Sequence, residues 1–582
     1  MKYRCTIAFL IIVCTLQVQA QKKLSLNIVV NDSLANKEFV IPVYQKKFDK
    51  PDQRSKEVQR ILFALYDNAY LAASVDSMVQ HDTTMLTAYI THGGQYQWAS
   101  LRKGNVDEGV LSQVGYNEKL FRHTALYYKD ALRLMDKVIT FYENHGYPFA
   151  QIKLDSVKLE GNKLNASLSL QKKRLEKIDS IVIKGDLKIS PQYLYGYLGI
   201  KPGDSYDESK VKVISSRLKS LQILYETKPL QVIFVENKVN IYLFLGKKSA
   251  NQFNGIIGIL PNSAGKVNIT GDISLNLQNT FHHAEDIGFH WQHIQAQTEN
   301  LTANFSYPYI LRTPLGFDEN FTLFKQDTTY LQLDNKIGLK YLLAGGNYWK
   351  VFYENISSTL IALSQLELQT TGLPPYADVT TQLYGIEYKA SSLDYIYNPR
   401  RGYSLLVNFA AGTKDIHQNP QLNPSLYEGL QLKSDEYKAN ISAAYYIPFM
   451  ERSAFKFAVN GGYINAPSLL LNDLYRIGGF SVLRGFDEQS IYASQYGVGT
   501  VEFHYLLEQN SFLFLFYDQG WCRETYPTAI GFFNDTPYGF GAGMDFQTKA
   551  GIFSLSYALG QSINNPLSFK DGKITFGLVN NF

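Results

Sequence analysis

Residues 476–486 read Arg476-Ile-Gly-Gly-Phe-Ser-Val-Leu-Arg-Gly-Phe486, the most informative segment of the chain. It interrupts a region that otherwise consists of strand-like segments. Arg484 lies among glycines and apolar residues, where a cation is costly unless a carboxylate compensates its charge. The stretch therefore predicts a loop that folds back into the lumen of a β-barrel.

The region around this loop shows strand patterns and no helical periodicity from residue 252 onward. Many of its segments exceed the five or six residues that are usual in globular proteins. Examples are residues 266–281, 330–343, 402–412, 437–449, 497–507, 511–522, 538–548 and 573–582. We count about sixteen strands, an even number that is typical of a bacterial outer-membrane barrel. About 330 residues suffice for sixteen tilted strands and their turns.

The predicted connections between these strands alternate in length. Short turns are expected around His283, Gly346, Glu451 and Gln509. Long loops are expected at 364–380, 415–432, 466–495, 523–537 and 561–572. Short turns on one rim and long loops on the other are typical of a membrane barrel, and a soluble sandwich has no reason to sort its loops this way. On this count, Arg484 lies in the sixth outward loop.

Composition agrees with a membrane barrel but does not by itself exclude a soluble β-protein. Of 582 residues, 14% are aromatic, with 42 Tyr and 35 Phe against 4 Trp. Such a content suits the interfacial girdles of a barrel. A chain of this length is expected to form several domains. The net charge of +4 gives no reason to expect a nucleic-acid partner.

The N-terminus has the pattern of a secretory signal peptide at residues 1–20. Lys2 and Arg4 precede an apolar run at residues 7–16, and Val18-Gln-Ala20 offers small residues before the expected cleavage point. Cys14 leaves a lipoprotein signal as an alternative. Cys522 is then the only cysteine of the mature chain, so no intramolecular disulfide is expected. No later apolar helix is long enough to cross a bilayer.

Between the signal and the barrel, helix-plus-hairpin patterns repeat at intervals of about 75 residues. Leu65-Tyr-Asp-Asn68 and Phe141-Tyr-Glu-Asn144 each end a predicted helix, and a strand hairpin follows each. We expect three small domains at residues 21–92, 93–174 and 175–249, followed by the barrel at 250–582. Serial copies of this size suggest a modular arm.

The third unit has the clearest pattern. Residues 178–183 alternate as a strand, and Ser190-Pro191 is expected to start a short helix. Residues 207–221 predict a second helix with Val211, Ile214, Leu218 and Leu221 on one face. Residues 230–235 and 239–245 then pair as a hairpin. The order strand, helix, helix, strand, strand predicts a two-layer fold with one covered sheet face.

This order ahead of a barrel resembles the polypeptide-transport-associated (POTRA) domains of the BamA/TamA outer-membrane assembly superfamily, also called the surface antigen family. The most specific motif is Leu483-Arg-Gly-Phe486, similar to the family's [VL]-R-G-[FY] loop motif. Val501-Glu-Phe503 and the segment Phe516-Tyr-Asp-Gln-Gly520 resemble its strand motifs, and Asn398-Pro-Arg-Arg-Gly402 resembles its P-x-x-G turn. The resemblance implies α+β periplasmic POTRA-like repeats followed by an all-β transmembrane antiparallel barrel of about sixteen strands. Arm length makes the chain TamA-like.

The resemblance also implies three groups of site residues. Arg484, Gly485, Phe486, Glu502 and Asp518 would form a clamp that holds the loop in the lumen; the alternative for Arg484 is a solvated loop cation. Phe576, Leu578 and Phe582 would form the closing strand and terminal recognition signal, or simply a lipid-facing strand with an interfacial anchor. Gly255 and Gly258 would weaken the first strand at a seam with the last.

No pattern predicts an enzyme. The sequence shows no nucleophile elbow, no phosphate loop and no metal-ligand spacing, so no catalytic residue, metal or cofactor is expected. His282, His283, His290 and His293 are expected to be ordinary turn and strand residues, because His290 and His293 point to opposite faces of a strand.

The leading hypothesis is a Gram-negative outer-membrane factor, with its N-terminal arm in the periplasm, that assembles, inserts or translocates unfolded polypeptides. Expected partners are those clients, outer-membrane lipids and accessory periplasmic or lipoprotein subunits. The arm domains would bind extended clients at open sheet edges, or serve as rigid spacers. The alternatives are a dedicated polypeptide exporter, a passive channel, and a surface adhesion barrel, which leaves the arm unexplained.

Overall fold

The computed structural model describes residues 23–31, 39–236, 238–261, 267–295, 298–363, 373–395, 398–479, 482–487, 489–524, 533–548, 551–563 and 565–579. The proposed signal peptide at residues 1–20 and the C-terminal Phe582 lie outside the described residues. The chain divides into two compact units, residues 1–176 with 205–208 and residues 177–204 with 209–582.

The first unit contains two small α/β domains. Their elements are β1 (Leu24–Val30), β2 (Lys47–Phe48), α1 (Pro51–Asp67), β3 (Ser74–Gln80), β4 (Met85–Thr91), β5 (Gln97–Arg102), α2 (Glu108–Val114), β6 (Thr124–Ala125), α3 (Tyr128–Glu143), β7 (Gln151–Glu160) and β8 (Lys163–Gln171). The sheets have the orders β2-β1-β4-β3 and β6-β5-β8-β7. In the first domain, Val58, Ile61 and Leu65 of α1 pack against the sheet. In the second, Leu134 and Val138 of α3 do the same.

A third domain of the same kind begins the second unit. Its elements are β9 (Lys177–Lys184), α4 (Pro191–Leu198), α5 (Glu208–Lys212), α6 (Ile214–Lys219), β10 (Leu224–Val235) and β11 (Lys238–Lys247). The single helix predicted at 207–221 is instead two short helices that meet at Val213. Val211, Ile214 and Leu218 stay buried across the break. The apolar periodicity therefore continues through Val213, so the sequence pattern does not reveal the break between the two helices.

All three domains share one sheet topology. The first strand of each pairs parallel with the last strand, as β1 does with β4, β5 with β8 and β9 with β11. The last strand also pairs antiparallel with the strand before it, so β3, β7 and β10 lie at a sheet edge. An edge strand carries unpaired backbone N–H and C=O groups that can accept another strand. In each domain, this edge strand is therefore a place where another strand can add.

Each of these edges is interrupted by a β-bulge. The pairing register shifts between Val75 and Ser77 in β3, and between Asp155 and Lys158 in β7. In β10 it shifts twice between Glu226 and Gln231, around a proline. Bulges and edge prolines are common ways to limit edge-to-edge aggregation. The regular part of each edge that follows its bulge is short: residues 77–80, 158–160 and 231–235.

The rest of the second unit is one large antiparallel sheet with a small hairpin in one of its loops. The strands are β12 (Gln252–Pro261), β13 (Val267–Gln278), β14 (Asp286–Gln295), β15 (Thr298–Tyr307), β16 (Leu315–Gln326), β17 (Tyr330–Leu342), β18 (Tyr348–Leu360), β19 (Asp378–Leu393), β20 (Gly402–His417), β21 (Lys433–Met450), β22 (Ser453–Asn465), β23 (Tyr475–Ile477), β24 (Ile491–Ala493), β25 (Gln495–Glu508), β26 (Ser511–Glu524), β27 (Phe533–Asp535), β28 (Tyr538–Thr548), β29 (Gly551–Gln561) and β30 (Lys573–Val579). β23 and β24 pair only with each other.

The large sheet has seventeen strands, of which β27 and β28 pair with successive parts of β26. Counting β27 with β28 gives a barrel of sixteen strands, as the sequence predicts. β12 and β30 lie side by side, with Cα atoms within 8 Å of each other, so the sheet closes into a barrel. Among the described residues, no hydrogen-bonded ladder joins these two strands, whereas every other pair of neighbours has one.

The two faces of the barrel differ in polarity. Along β26, Leu513, Leu515 and Tyr517 are exposed, whereas the side chains between them are buried. Charged side chains lie on the inner face, among them the buried Lys350 and Glu387, whose Nζ and Oε1 atoms are 2.9 Å apart. An apolar outer face and a polar lumen characterise transmembrane barrels. In the described part of the chain, none of the helices combines the length and hydropathy of a membrane span.

The third domain is fixed to one rim of the barrel, here called the arm-side rim. The backbone N–H of Ser190 donates to the carbonyl of His282 at 2.7 Å, in the connection between β13 and β14. The ring of Tyr309, in the next connection on this rim, packs on Gly196 of α4, where an added Cβ would lie 2.1 Å from it. Burial raises the pKa of Tyr197 and of Tyr309 to about 12, because the phenolate is disfavoured away from water.

The opposite rim, here called the long-loop rim, carries the long connections, among them 361–377, 418–432 and 466–494. The connection after β16 on this rim is only residues 327–329. The connections on this rim become long only after the later strands. The three long loops share a hydrophobic core, the cap. It contains Ala377, Leu422, Tyr427 and Leu470 with Val379 and Ile416 of the strands below.

Candidate functional site

The candidate site is the tip of the connection 466–494, here called loop 6, where Arg484 meets two carboxylates of the barrel wall. Arg484 Nε and Nη2 each lie 2.8 Å from an oxygen of Asp518, and Nη1 lies 2.7 Å from Glu502 Oε2. The backbone N–H of Arg484 also donates to Asp518, at 3.2 Å. This is a bidentate guanidinium–carboxylate pair with a second carboxylate on the remaining nitrogen, the strong form of such an interaction.

The barrel strands position the two carboxylates. Glu502 lies on β25 and Asp518 on the neighbouring β26, and both side chains point into the lumen, where they are 5% and 1% exposed. Thr500 is the register partner of Asp518 and donates its hydroxyl to it at 2.8 Å. A buried charge is tolerated when it is paired and hydrogen-bonded. Arg484, Glu502 and Asp518 satisfy this condition together, and we call them the clamp.

Close contact between loop 6 and the wall depends on glycines. Gly485 has φ +94°, and a Cβ there would lie 2.5 Å from the backbone of Leu559. A Cβ on Gly539 would lie 1.9 Å from the carbonyl oxygen of Arg484, and one on Gly560 would lie 2.6 Å from that of Gly485. Real Cβ atoms do not approach backbone so closely, so all three positions exclude a side chain. The sequence pointed to Gly485 but not to Gly539 or Gly560, whose partners are distant in the chain.

Apolar contacts complete the tip. Phe486 and Leu483 are buried together with Val498 of β25. The guanidinium carbon of Arg484 lies 3.5 Å from the ring centroid of Phe516, which is a cation–π arrangement. Loop 6 is thus held at its tip by an ion cluster, close backbone contact and apolar packing.

A second attachment, which the sequence did not predict, holds the first limb of loop 6. Lys414 of β20 is fully buried; its Nζ pairs with Asp473 and donates to the carbonyl of Ser468 at 2.8 Å. Asn472 donates to Ser358 at 2.8 Å and to the carbonyl of Ala377 at 3.0 Å. Lys414 and Asp473 are far apart in sequence and belong to no motif. The one available signal was a lysine in the lumen-facing register of a strand.

The proposed seam lies where β12 meets β30. Gly255 and Gly258 are in β12, opposite Ile273 and Thr270 of β13. In β30, Phe576 is 56% exposed and its ring centroid lies 5.9 Å from that of Phe553. Leu578 pairs with Phe553 in the backbone register.

The described residues contain no group of three or more His, Cys, Asp or Glu side chains that could hold a metal ion. His290 is paired with Asp272, with Nε2 and Oδ1 3.0 Å apart. Cys522 is buried and is not part of a disulfide bond.

Comparison with protein families gives two matches. The Omp85 superfamily domain matches residues 265–582, more than half of the chain. A POTRA family described as a surface antigen variable number repeat matches residues 176–242. No curated protein matches the sequence.

Solved structures with a similar fold include CdiB from Escherichia coli, at 15% identity and a TM-score of 0.53. CdiB from Acinetobacter baumannii matches at 16% identity and a TM-score of 0.50. Each comparison covers 91% of this chain and 97% of the other, and at these identities the likeness shows the fold alone. BamA from Haemophilus ducreyi lacking POTRA domains 1-3 matches at 14% identity, over 84% of this chain and all of that one, with a TM-score of 0.42.

Proposed function

Because the chain belongs to the Omp85 superfamily, whose members are outer-membrane β-barrel proteins with periplasmic POTRA domains, we propose that it inserts or translocates unfolded polypeptides at the outer membrane. The arm would lie in the periplasm and bind extended clients at the edges of β3, β7 and β10. Clients would then reach the lipid through the seam. With an arm of three domains, we favour a specialised, TamA-like role over that of a general assembler.

The observation that carries this proposal is the seam. Within the described residues, β12 and β30 are neighbours without a ladder, in a sheet whose other neighbours are all hydrogen-bonded. In lipid, unpaired backbone groups cost several kcal/mol each, by order of magnitude, so such a seam favours a guest strand. Burial of client side chains in lipid would supply the driving force without a nucleotide.

The clamp would hold loop 6 in the lumen while a client passes through the seam. The cap formed by the three long loops counts against a permanently open pore, because its core lies over the long-loop rim. Outer-membrane lipids and accessory periplasmic or lipoprotein subunits are the further partners that we propose, by the family resemblance alone.

A reversible crosslink across the seam tests the proposal. One cysteine is placed within residues 253–257 and another within 573–577, in a Cys522→Ser background that removes the native thiol. We expect the oxidised protein to fail in assembling clients and the reduced protein to work. Two single-cysteine variants are the controls for oxidation itself. Full activity of the oxidised protein would exclude the seam as the client route.

Depletion of the protein, followed by quantification of the whole outer-membrane and secreted proteomes, identifies the clients. Loss of several outer-membrane barrels would support insertion. Loss of one secreted polypeptide, with the barrels unchanged, would instead identify a dedicated exporter. No change in either proteome would reject both roles.

A further inference from the structure

Polar contacts continue from the clamp toward the arm-side rim. Glu502 uses Oε2 for Arg484, and its Oε1 lies 2.5 Å from Nε2 of His504, two residues further along β25. The other ring nitrogen of His504, Nδ1, lies 3.3 Å from Oδ1 of Asn398. Asn398 belongs to the connection between β19 and β20 on the arm-side rim. One chain of polar contacts therefore runs from the tip of loop 6 to a turn on the opposite rim.

Three members of this chain are shielded from solvent. Glu502, His504 and Asn398 are 5%, 4% and 3% exposed. The imidazole of His504 also stacks on Phe512, with ring centroids 4.6 Å apart and an interplanar angle of 24°. Hydrogen bonds in such surroundings are strong, and an unpaired polar atom there is costly. The loss of one contact therefore leaves a costly unpaired polar atom on the next member of the chain and destabilises its position.

The turn that contains Asn398 is tightly built. The carboxylate of Asp394 accepts from the backbone N–H groups of Arg400 and Arg401, at 3.0 and 3.1 Å. Gly402 has φ +115°, and a Cβ there would lie 1.9 Å from the carbonyl oxygen of Ser392. These contacts tie the end of the connection to its start at Asp394.

The same turn reaches two other connections on the arm-side rim. Arg400 donates to the carbonyl of Met450 at 3.2 Å, next to the connection between β21 and β22. Asn398 Nδ2 lies 3.5 Å from the carbonyl oxygen of Gln509, in the connection between β25 and β26. Pro399 of the turn and Arg484 of loop 6 both line one lumenal cavity of about 420 Å³. The turn and the loop tip thus face each other across this space.

We propose that His504 is a positioning residue that couples the clamp to the turn at residues 394–401, so that loosening either one loosens the other. Through this coupling, displacement of the turn on the arm side reaches loop 6 without any change in the arm-to-barrel contacts. The use of the coupling during client transfer rests on the proposed function. The coupling itself is a property of the purified barrel and is tested without a client.

Hydrogen exchange of the purified full-length protein in detergent micelles measures this coupling. His504→Leu fills the space but cannot bond, and we expect exchange of residues 482–487 to accelerate about tenfold, the usual size of a coupling between sites. Asn398→Ala should accelerate exchange at the same loop residues. Arg484→Ala should accelerate exchange at 394–401, because coupling is reciprocal. His504→Gln keeps a donor toward Glu502 and should restore part of the loop protection.

Asn408→Ala is the matched control, because it removes a lumenal amide pair, from Asn440 Nδ2 to Asn408 Oδ1 at 2.9 Å, outside this chain of contacts. Hydrogen exchange at residues 482–487 and at 394–401 should be unchanged in this variant. The proposal is overturned if Asn398→Ala loosens the turn and leaves residues 482–487 protected. If His504→Leu does not fold, Asn398→Ala and Arg484→Ala still decide the matter. Loss of client assembly with unchanged exchange would reject the coupling and leave the proposed function standing.

Discussion

At the scale of single residues, the lumen holds a charge cluster whose geometry requires arginine. Arg484 uses three of its nitrogens on two carboxylates, at 2.7 to 2.8 Å. A lysine offers one ammonium and cannot reproduce the planar fork. The loop motif and the two strand motifs predict these three residues, since each carries a local pattern. Lys414, His504 and Gly560 have no such pattern, because what defines them is a partner that only the folded barrel brings close.

The clamp should behave as one unit in mutational cycles. Arg484→Ala leaves Asp518 buried without its partner, so we expect a loss in the free energy of unfolding of roughly 3 kcal/mol or more. Asp518→Asn should cost a similar amount, and the double variant should cost clearly less than the sum of both. Denaturant unfolding in micelles measures the cycle. Additive losses would mean that the two groups do not interact. The loss in the free energy of unfolding for Arg484→Lys should be close to that for Arg484→Ala.

The close contact of loop 6 with the wall should not tolerate a methyl group. Gly560→Ala places a Cβ 2.6 Å from the carbonyl oxygen of Gly485, so we expect the loop tip to leave the wall. Limited proteolysis of loop 6 should then become much faster. Gly499→Ala, where a Cβ meets no atom within 4 Å, is the matched control and should leave the rate of loop 6 proteolysis unchanged. Equal proteolysis of both variants would show that the contact is dispensable.

At the scale of elements, loop 6 is held by two independent attachments. The clamp holds its tip, and the buried pair of Lys414 and Asp473 holds its first limb. Long strands and the repeated helix-plus-hairpin pattern were predictable, because their hydrophobic period extends over many residues. The break between α5 and α6 was not predictable, because Val211, Ile214 and Leu218 stay buried on both sides of it.

Lys414→Met should release the first limb, because it leaves the Asp473 carboxylate buried and unpaired. We expect a loss of roughly 3 kcal/mol in the free energy of unfolding and faster cleavage at residues 468–476. Combining it with Asp473→Leu should restore most of the loss. Lys433→Met removes an exposed pair with Asp415 at 3.7 Å and should cost less than about 1 kcal/mol. Similar losses for both lysines would contradict the special role of the buried pair.

At the scale of the whole molecule, the barrel combines a capped long-loop rim with a seam at which the described residues form no ladder. The family and the barrel follow from the sequence because strand count, loop order and motif position agree with one another. The cap could not be predicted, since Ala377, Leu422 and Leu470 belong to three different loops and show no common pattern.

Removal of the cap should open the lumen to ions. Replacing residues 419–430 by a short Gly-Ser linker deletes Leu422 and Tyr427, and we expect stable conductance steps in planar bilayers where the parent protein shows none. Shortening the connection 562–572, which supplies no described residue of the cap core, is the control. Large, steady conductance of the parent protein would instead support a passive channel.

The bulges in the edges of the three arm domains bear on how firmly a client can be held. Beyond its bulge, each edge offers a guest strand only three to five residues in regular register, so each contact is weak and brief. Three weak contacts on one tethered chain still give substantial avidity, because binding at one raises the effective concentration at the others. Each contact also breaks without a large barrier. A client would therefore stay associated as a whole while any one segment is free to move on.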